Sequence, residues 1–392
     1  MPDSHEHALR ALERRGRLRR LSPRAGVDFS SNDYLGLAAS PELAAAAEAA
    51  LARGVPLGAG GSRLLRGNDD EHEALEVEAA QFFGAQTCLF FGGGFVANYA
   101  IFSTLPQRED LVVYDQLIHA SVHDGMRAGR AKAVAARHND ANDVSDLITN
   151  WRASGGTGRP WIAVESLYSM EGDRAPLDDL MRVAERHDGF LVIDEAHATG
   201  VFGPQGRGLG AAFEGRDNVI SLHTCGKALG ASGALVLAPK VMRDFIVNRC
   251  RPFIYATAPS PLVAAVVRRA LAICRDEPQR RDALQQRVAE FERLTQTHFG
   301  IAFSTSQIQP FVAGGDSVAV ELARQMQAEG FDIRAVRPPT VPENTARLRI
   351  ALTLNASLEE LVQMVETLAR RAGTLGVTPV SCGRPAPEIV LT

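Results

Sequence analysis

An α/β fold, with a mostly parallel sheet covered by helices and a smaller C-terminal α/β lobe, is predicted by three observations. The chain has 392 residues, beyond the roughly 250–300 at which one hydrophobic core stops growing, so two lobes are expected. From Cys88 to Ala238 short apolar, β-rich runs alternate with longer stretches of helical pattern, as in parallel βαβ units. Those runs are continuously apolar rather than alternating, which suits strands buried on both faces.

After an N-terminal segment of residues 1–40, a helix is expected from about Pro41 to Arg53. The glycine-rich stretch Gly58-Ala59-Gly60-Gly61-Ser62 follows, then a helix starting after Asn68, where Asn68 and Glu71 make a capping-box-like start. Candidate strands are Cys88–Phe91, Leu111–Tyr114, Trp161–Glu165, Phe190–Ile193, Val219–Leu222 and Ala234–Leu237. Ser260-Pro261 offers an N-cap followed by proline at the first helical position, opening a long helix toward Cys274. The domain boundary is placed there, giving a large domain of residues 41–259 and a small one of 260–378. In the small domain Arg347–Thr353 is the clearest strand and Leu358–Arg371 the last helix. Residues 379–392 have the Pro/Gly content of a loose tail, and no internal repeat is present.

With 45% apolar and 22% charged residues the chain has a core to bury, which excludes a disordered protein. The net charge of −4 argues against a general nucleic-acid or membrane-surface binder. The arginine run between Arg10 and Arg24 reads as a solvated helix face. Cys88, Cys225, Cys250, Cys274 and Cys382 show no CxxC spacing, so neither a common zinc pattern nor a disulfide framework is expected. No apolar run approaches a membrane span, and the charged start around His5, Glu6, His7 and Arg10 lacks the apolar stretch of a signal peptide. A cytoplasmic location is the default expectation.

Of the 42 basic residues only Lys132, Lys227 and Lys240 are lysines, so any Schiff base must use one of them. Lys132 lies in a polar segment and Lys240 follows Pro239 at a strand exit, as surface residues do. Lys227 follows a strand exit with small neighbours, in Thr224-Cys225-Gly226-Lys227-Ala228, where an amine can be held beside a bound ring. Partial desolvation there would favour its nucleophilic form. The segment alone suits a solvated lysine equally well. In Val192-Ile193-Asp194-Glu195-Ala196-His197 a strand ends on a carboxylate, the place where ligands bind in open α/β sheets. Such a carboxylate can keep a pyridinium nitrogen protonated, although a capped loop would read the same. Gly92-Gly93-Gly94 leads a strand into a helix whose first N–H groups can meet an anion; a purely structural glycine turn is the alternative. His119 and His123 could share a helix face, but without HExxH or a cysteine pair no metal is expected. A flat imidazole stacking on a ring is the better use of His119.

Taken in chain order these pieces resemble the α-oxoamine synthases of the aspartate-aminotransferase fold. The likeness spans nearly the whole chain. It rests on Ser30-Ser31-Asn32-Asp33-Tyr34-Leu35-Gly36-Leu37, Gly94-Phe95 with Ala97-Asn98, His119-Ala120-Ser121, Ser169-Met170-Glu171-Gly172-Asp173, Asp194-Glu195-Ala196-His197, Thr224 with Gly226-Lys227, and Arg337-Pro338-Pro339-Thr340-Val341-Pro342 followed by Thr345-Ala346-Arg347-Leu348-Arg349. The last pair is most similar to the branch serving biotin synthesis.

The resemblance implies fold type I and pyridoxal 5'-phosphate carried as an imine on Lys227. It also implies a condensation of L-alanine with a pimeloyl thioester, on coenzyme A or an acyl carrier protein, that releases carbon dioxide. By the same resemblance Asp194 would partner the pyridine nitrogen, and His119 would stack on the ring. His197 and Ser169 would bond its polar edge, and Gly94, Phe95 and Thr224 would hold it near the phosphate. Thr257 would reach the phosphate from a neighbouring subunit, implying a homodimer with shared sites. Arg349 would clamp the amino-acid carboxylate, while Arg19, Asn32 and Thr340 would contact substrate. Gly93 stands where family members often carry serine, and Cys225 replaces a usual aromatic. A shorter segment before Ser30 leaves Arg17 and Arg20 as alternatives to Arg19. Other readings are a relative with a different acyl donor or glycine, and a scaffold subunit without chemistry, against which Lys227, Asp194 and His197 together argue. A nucleotide-driven helicase suggested by Asp-Glu-Ala-His lacks the phosphate-loop glycine before Gly226-Lys227.

Overall fold

The computed structural model describes residues 3–379; Cys382 and all but the first residue of the expected tail, residues 379–392, lie outside the described residues. Two compact units are present: Leu35–Ser169 with Arg174–Arg281, and Met1–Tyr34 with Met170–Asp173 and Asp282–Thr392.

The first unit is built on seven strands: β1 Thr87–Phe91, β2 Leu111–Asp115, β3 Lys132–Ala136, β4 Pro160–Glu165, β5 Phe190–Asp194, β6 Val219–Thr224 and β7 Ala234–Ala238. Their order is β1-β7-β6-β5-β4-β2-β3. The block from β6 to β3 is parallel, and β7 runs antiparallel to both β6 and β1. All six predicted strands are present, each longer by one or two residues. β3 was not foreseen. It pairs only with β2, at the sheet edge, and is largely exposed, so it lacks the apolar run of a strand buried on both faces. Lys132 opens it, a charge that discourages further strand addition.

Burial of both sheet faces is visible within β5. Phe190 and Val192 join a core cluster with Ala97, Ile101 and Trp161, while Leu191 and Ile193 join a second with Val144, Ile148, Leu180 and Met181. The helices covering the sheet are Gly94–Thr104 on the first face, and Ala141–Ala153 and Leu177–Arg186 on the second. Truncating a fully buried member such as Ile101 to alanine would cost about 2–5 kcal/mol.

The helix Pro41–Ala52 starts as expected, with Ser40 Oγ accepting from Leu43 N at 3.2 Å and proline in its first turn. The helix Asp70–Phe83 is capped by Asp69 and His72, not by Asn68 and Glu71. Asn68 stands one residue too early and bonds Arg63 and Glu73 with its side chain. Ser260 caps the helix Pro261–Asp276, with Pro261 at its start. That helix packs on Pro41–Ala52 and Asp70–Phe83. It therefore belongs to the first unit, and the division falls at Arg281/Asp282 rather than at 259/260. The segment up to Tyr34 groups with the second unit instead of standing alone.

In the second unit β8 Ile308–Gly314, β9 Ala335–Val336 and β10 Ala346–Ala351 form an antiparallel sheet in the order β9-β10-β8. The helices Asp316–Ala328 and Leu358–Thr374 lie in the same unit, the latter opened by a Ser357/Glu360 capping box. Val27–Asp28 pairs in parallel with Phe331–Asp332.

Candidate active site

Asp194 is the last residue of β5, level with Glu165 of β4 and Leu222 of β6, so its carboxylate stands at the carboxyl edge of the parallel block. It is buried. Oδ1 accepts from Ala196 N at 2.9 Å, and Oδ2 accepts from Asn98 Nδ2 at 2.7 Å. The next carboxylate, Glu195, is held elsewhere, by Ser166 Oγ at 2.7 Å, Leu209 N and Gly210 N. Burial pushes the Glu195 carboxyl above its usual pKa.

Lys227 lies in the connection from β6 to β7, which closes tightly because those strands are antiparallel neighbours. Cys225 N donates to Gly233 O, Ala231 N to Cys225 O, and Gly230 N to Lys227 O, each at 2.9 Å. Gly230 has φ 64, and a Cβ there would sit 2.5 Å from Ala38 N, so only glycine serves. The lysine is half-buried, unlike the exposed Lys132 and Lys240.

His119 caps the helix Ala120–Ala128, and His123 lies within that helix. His123 packs edge-on against Tyr114, 5.0 Å between centroids. His119 Nδ1 is 2.7 Å from Ser121 Oγ and 3.2 Å from Ser121 N. The ring remains accessible to solvent, and Phe95 stands edge-on to it at 6.4 Å. Desolvation by its surroundings lowers its pKa, Asp194 opposes that shift, and Lys227 adds to it. One imidazole thus feels both the carboxylate and the amine singled out in the sequence.

The helix Gly94–Thr104 begins without a side-chain cap, its N-cap being Gly93. A Cβ at Gly92 or Gly93 would meet nothing within 4 Å, whereas one at Gly94 would sit 2.6 Å from Thr224 Cγ2. The helix start therefore lies close against Thr224 at the end of β6, with open space beside Gly92 and Gly93. Thr224 Oγ1 donates to Ala196 O at 3.2 Å, tying β6 to the loop after β5. His197 and Ser169 are buried, Ser169 N donating to Glu165 Oε2 at 2.9 Å. Thr257 is exposed on a turn fixed by Ala258 N to Gly61 O at 2.9 Å.

Asn32, Arg349, Arg19 and Thr340 belong to the second unit. Arg349 is buried on β10 and donates to Tyr34 Oη at 3.4 Å; Tyr34 Oη in turn donates to Asn32 Oδ1 at 3.0 Å. Arg19 Nη2 reaches Thr340 Oγ1 at 3.3 Å. Arg17 is held by Asp316 and Glu343, both at 2.6 Å, and Arg20 lies 3.6 Å from Glu13. Of the three arginines, Arg19 is the one beside Thr340.

In chemical terms the first unit offers an ionisable amine, a fixed carboxylate, a flat neutral imidazole and an open helix start. Such a set can receive a planar cationic heterocycle carrying an anionic tail. Sequence reasoning left Asn98 and Ser121 without a role. The available signal was Asn98 four residues after Gly94, on the helix side that faces β5.

Residues 24–367 match the family described as aminotransferase class I and II, and the chain belongs to that family. Within it, the chain is 41% identical over 352 residues to 8-amino-7-oxononanoate synthase of Chromobacterium violaceum, covering 89% of this chain and 90% of that one. Among solved structures it resembles 8-amino-7-oxononanoate synthase from Francisella tularensis, with 27% identity, TM-score 0.75 and coverage of 90% and 99%. It also resembles a structure described as SPT with a PLP internal aldimine, with 26% identity, TM-score 0.81 and coverage of 89% and 88%. Among the described residues no helix is long and apolar enough to cross a membrane.

Proposed function

We propose that this chain uses pyridoxal 5'-phosphate to condense L-alanine with a pimeloyl thioester, giving 8-amino-7-oxononanoate, carbon dioxide and free thiol. The observation that carries this reading is the buried Asp194 carboxylate at the carboxyl edge of the parallel strands, with Lys227 half-buried in the β6–β7 connection of the same unit, in a chain 41% identical to a protein of that name.

The residues fit the cofactor. Each oxygen of Asp194 holds one donor and keeps capacity for another, enough to take a pyridinium N–H. The uncapped start of Gly94–Thr104, with Phe95 and Thr224 beside it, suits a phosphate. The accessible face of His119 suits a stacked ring, and His197 and Ser169 are the residues we assign to its polar edge. When bound, the protonated ring accepts the electron pair left on the substrate Cα, once after proton loss and once after carboxylate loss.

Lys227 Nζ is the covalent anchor and, once displaced by alanine, takes the Cα proton. Arg349 grips the alanine carboxylate with its planar fork. A bond forms between Cα and the thioester carbonyl carbon while the carbon–sulfur bond breaks, and the sulfur leaves as thiolate and takes a proton from solvent. The bond from Cα to the carboxylate then breaks to give carbon dioxide, and Lys227 Nζ returns a proton to Cα. Arg19, Asn32 and Thr340 contact substrate.

Exposed apolar side chains support a homodimer in which Thr257 serves the neighbouring site: Tyr255, 71% accessible, precedes Thr257 in sequence, and Leu57 and Leu65, 70% and 85% accessible, lie on the segment whose Gly61 carbonyl bonds Ala258 N. Cys88, Cys225, Cys250 and Cys274 are free thiols, which suits the cytoplasm.

Lys227→Ala is expected to lose both the visible absorption of bound cofactor and turnover; retention of both would remove the proposal. Mass analysis of the product from alanine and pimeloyl-coenzyme A, with carbon dioxide measured alongside, tests the reaction itself. Glycine, and acetyl and succinyl thioesters, should be poor replacements, and a preference for any of them would redirect the reading to another α-oxoamine synthase.

A further inference from the structure

Asn98 is 2% exposed and stands between two groups of the site. Its Nδ2 lies 2.7 Å from Asp194 Oδ2 and 3.1 Å from Ser121 Oγ. A primary amide nitrogen carries two hydrogens, and these two oxygens take one each. The amide oxygen cannot occupy this position, because it would oppose the carboxylate acceptor to acceptor. Having accepted from Asn98, Ser121 Oγ gives its own hydrogen to His119 Nδ1 at 2.7 Å. Ser121 N–H aims at the same nitrogen at 3.2 Å. Nδ1 thus meets two donors and carries no proton, so the ring's one hydrogen is on Nε2.

We propose that Asn98 and Ser121 are positioning residues that fix the orientation of the Asp194 carboxylate and hold His119 as its Nε2–H tautomer through one directed chain of hydrogen bonds. This deepens the proposed function, in which Asp194 must offer a full charge to a ring nitrogen while His119 stacks uncharged. A neutral donor is the right choice beside Asp194. An arginine or lysine there would compete as counter-ion for the charge meant for the ring, whereas an amide fixes the carboxylate without neutralising it. The chain also couples the two groups: turning the amide to serve one of them abandons the other.

Asn98→Asp is nearly isosteric, but it would set a second carboxyl against Asp194, and two carboxyl groups so close share a proton. Titration with pyridoxal 5'-phosphate at neutral pH should show Asn98→Asp binding at least about tenfold more weakly than Asn98→Ala, one pK unit being tenfold. A purely structural role predicts the opposite order, since alanine leaves a hole and aspartate does not. Nitrogen-15 spectra of the cofactor-free wild type should show His119 as the Nε2–H tautomer, and Ser121→Ala should convert it to a mixture. Equal or tighter cofactor binding by Asn98→Asp, or an Nδ1–H tautomer in the wild type, would overturn the inference. Should Asn98→Asp fail to fold, the tautomer measurement still decides. A wild type that takes up no pyridoxal phosphate would instead overturn the proposed function, with the tautomer left to judge the hydrogen-bond chain independently.

Discussion

Gly94→Ala puts the close approach of helix and strand to a quantitative test. A methyl at position 94 would sit 2.6 Å from Thr224 Cγ2, inside the distance that real Cβ contacts keep. Thr224 is buried and β-branched, so its methyl is not the loose end of a flexible chain. Rotating it away would break the 3.2 Å bond from Thr224 Oγ1 to Ala196 O, a loss of about 0.5–1.5 kcal/mol. Forcing a methyl into packed surroundings costs about 1–3 kcal/mol. These two responses are alternatives and the cheaper sets the cost, so the whole effect should be about 0.5–1.5 kcal/mol, and it should weaken pyridoxal phosphate binding as the helix start shifts against β6. Thr224→Ser removes Cγ2 and keeps the hydroxyl. Urea unfolding of the four members of the double-mutant cycle should give a coupling energy of about 0.5–1.5 kcal/mol, with the serine rescuing the alanine. If Gly94→Ala costs the same in both backgrounds, the contact with Thr224 is not the reason for glycine at this position.

Three further outcomes are expected. His72 accepts Asp69 N–H at Nδ1 and donates from Nε2 to Pro259 O, and burial lowers its pKa; because the unfolded chain binds this proton more readily, the stability His72 contributes is present above a pH of about 6.5 and is lost as pH falls below it. Urea midpoints measured from neutral pH downward should therefore fall, and His72→Gln should flatten the slope; an unchanged slope would refute this. Arg349→Lys should raise the KM for alanine about tenfold or more while sparing that for the thioester, since an ammonium cannot form the paired bonds of a guanidinium, and equal effects on both constants would count against the clamp. Sedimentation should give twice the chain mass of 42.1 kDa, and a single-chain mass would remove the shared site at Thr257.

Six strands of the seven-stranded sheet were legible because their apolar runs report burial on both faces, a property that survives without knowledge of the partners. β3 was hidden for the complementary reason: an edge strand with Lys132 and Ala133 exposed has no such run. The start of the helix Asp70–Phe83 was misread by one residue because Asn68, Asp69 and Asp70 are all capable caps, and the choice depends on where His72 points. Ser260-Pro261 correctly announced a helix but not its allegiance, which is decided by packing on Pro41–Ala52 and Asp70–Phe83. In the candidate site, Asp194 and Lys227 could be picked out because each ends or follows a strand. Asn98 meets Asp194 across 96 residues and Ser121 across 23, separations to which local spacing is blind.

The reversal of β7 has an engineering consequence. In a wholly parallel sheet the segment after β6 would be a crossover of a dozen residues or more, a region that tolerates changes of length. Here it is a return loop, stitched at both ends and wedged by Gly230 against Ala38 and by Gly233 against Phe90. Attempts to retune this catalyst by lengthening, shortening or grafting the Cys225–Gly233 loop should fail sooner than equal changes elsewhere on the same rim. The position of Lys227 is set by a scaffold with almost no slack.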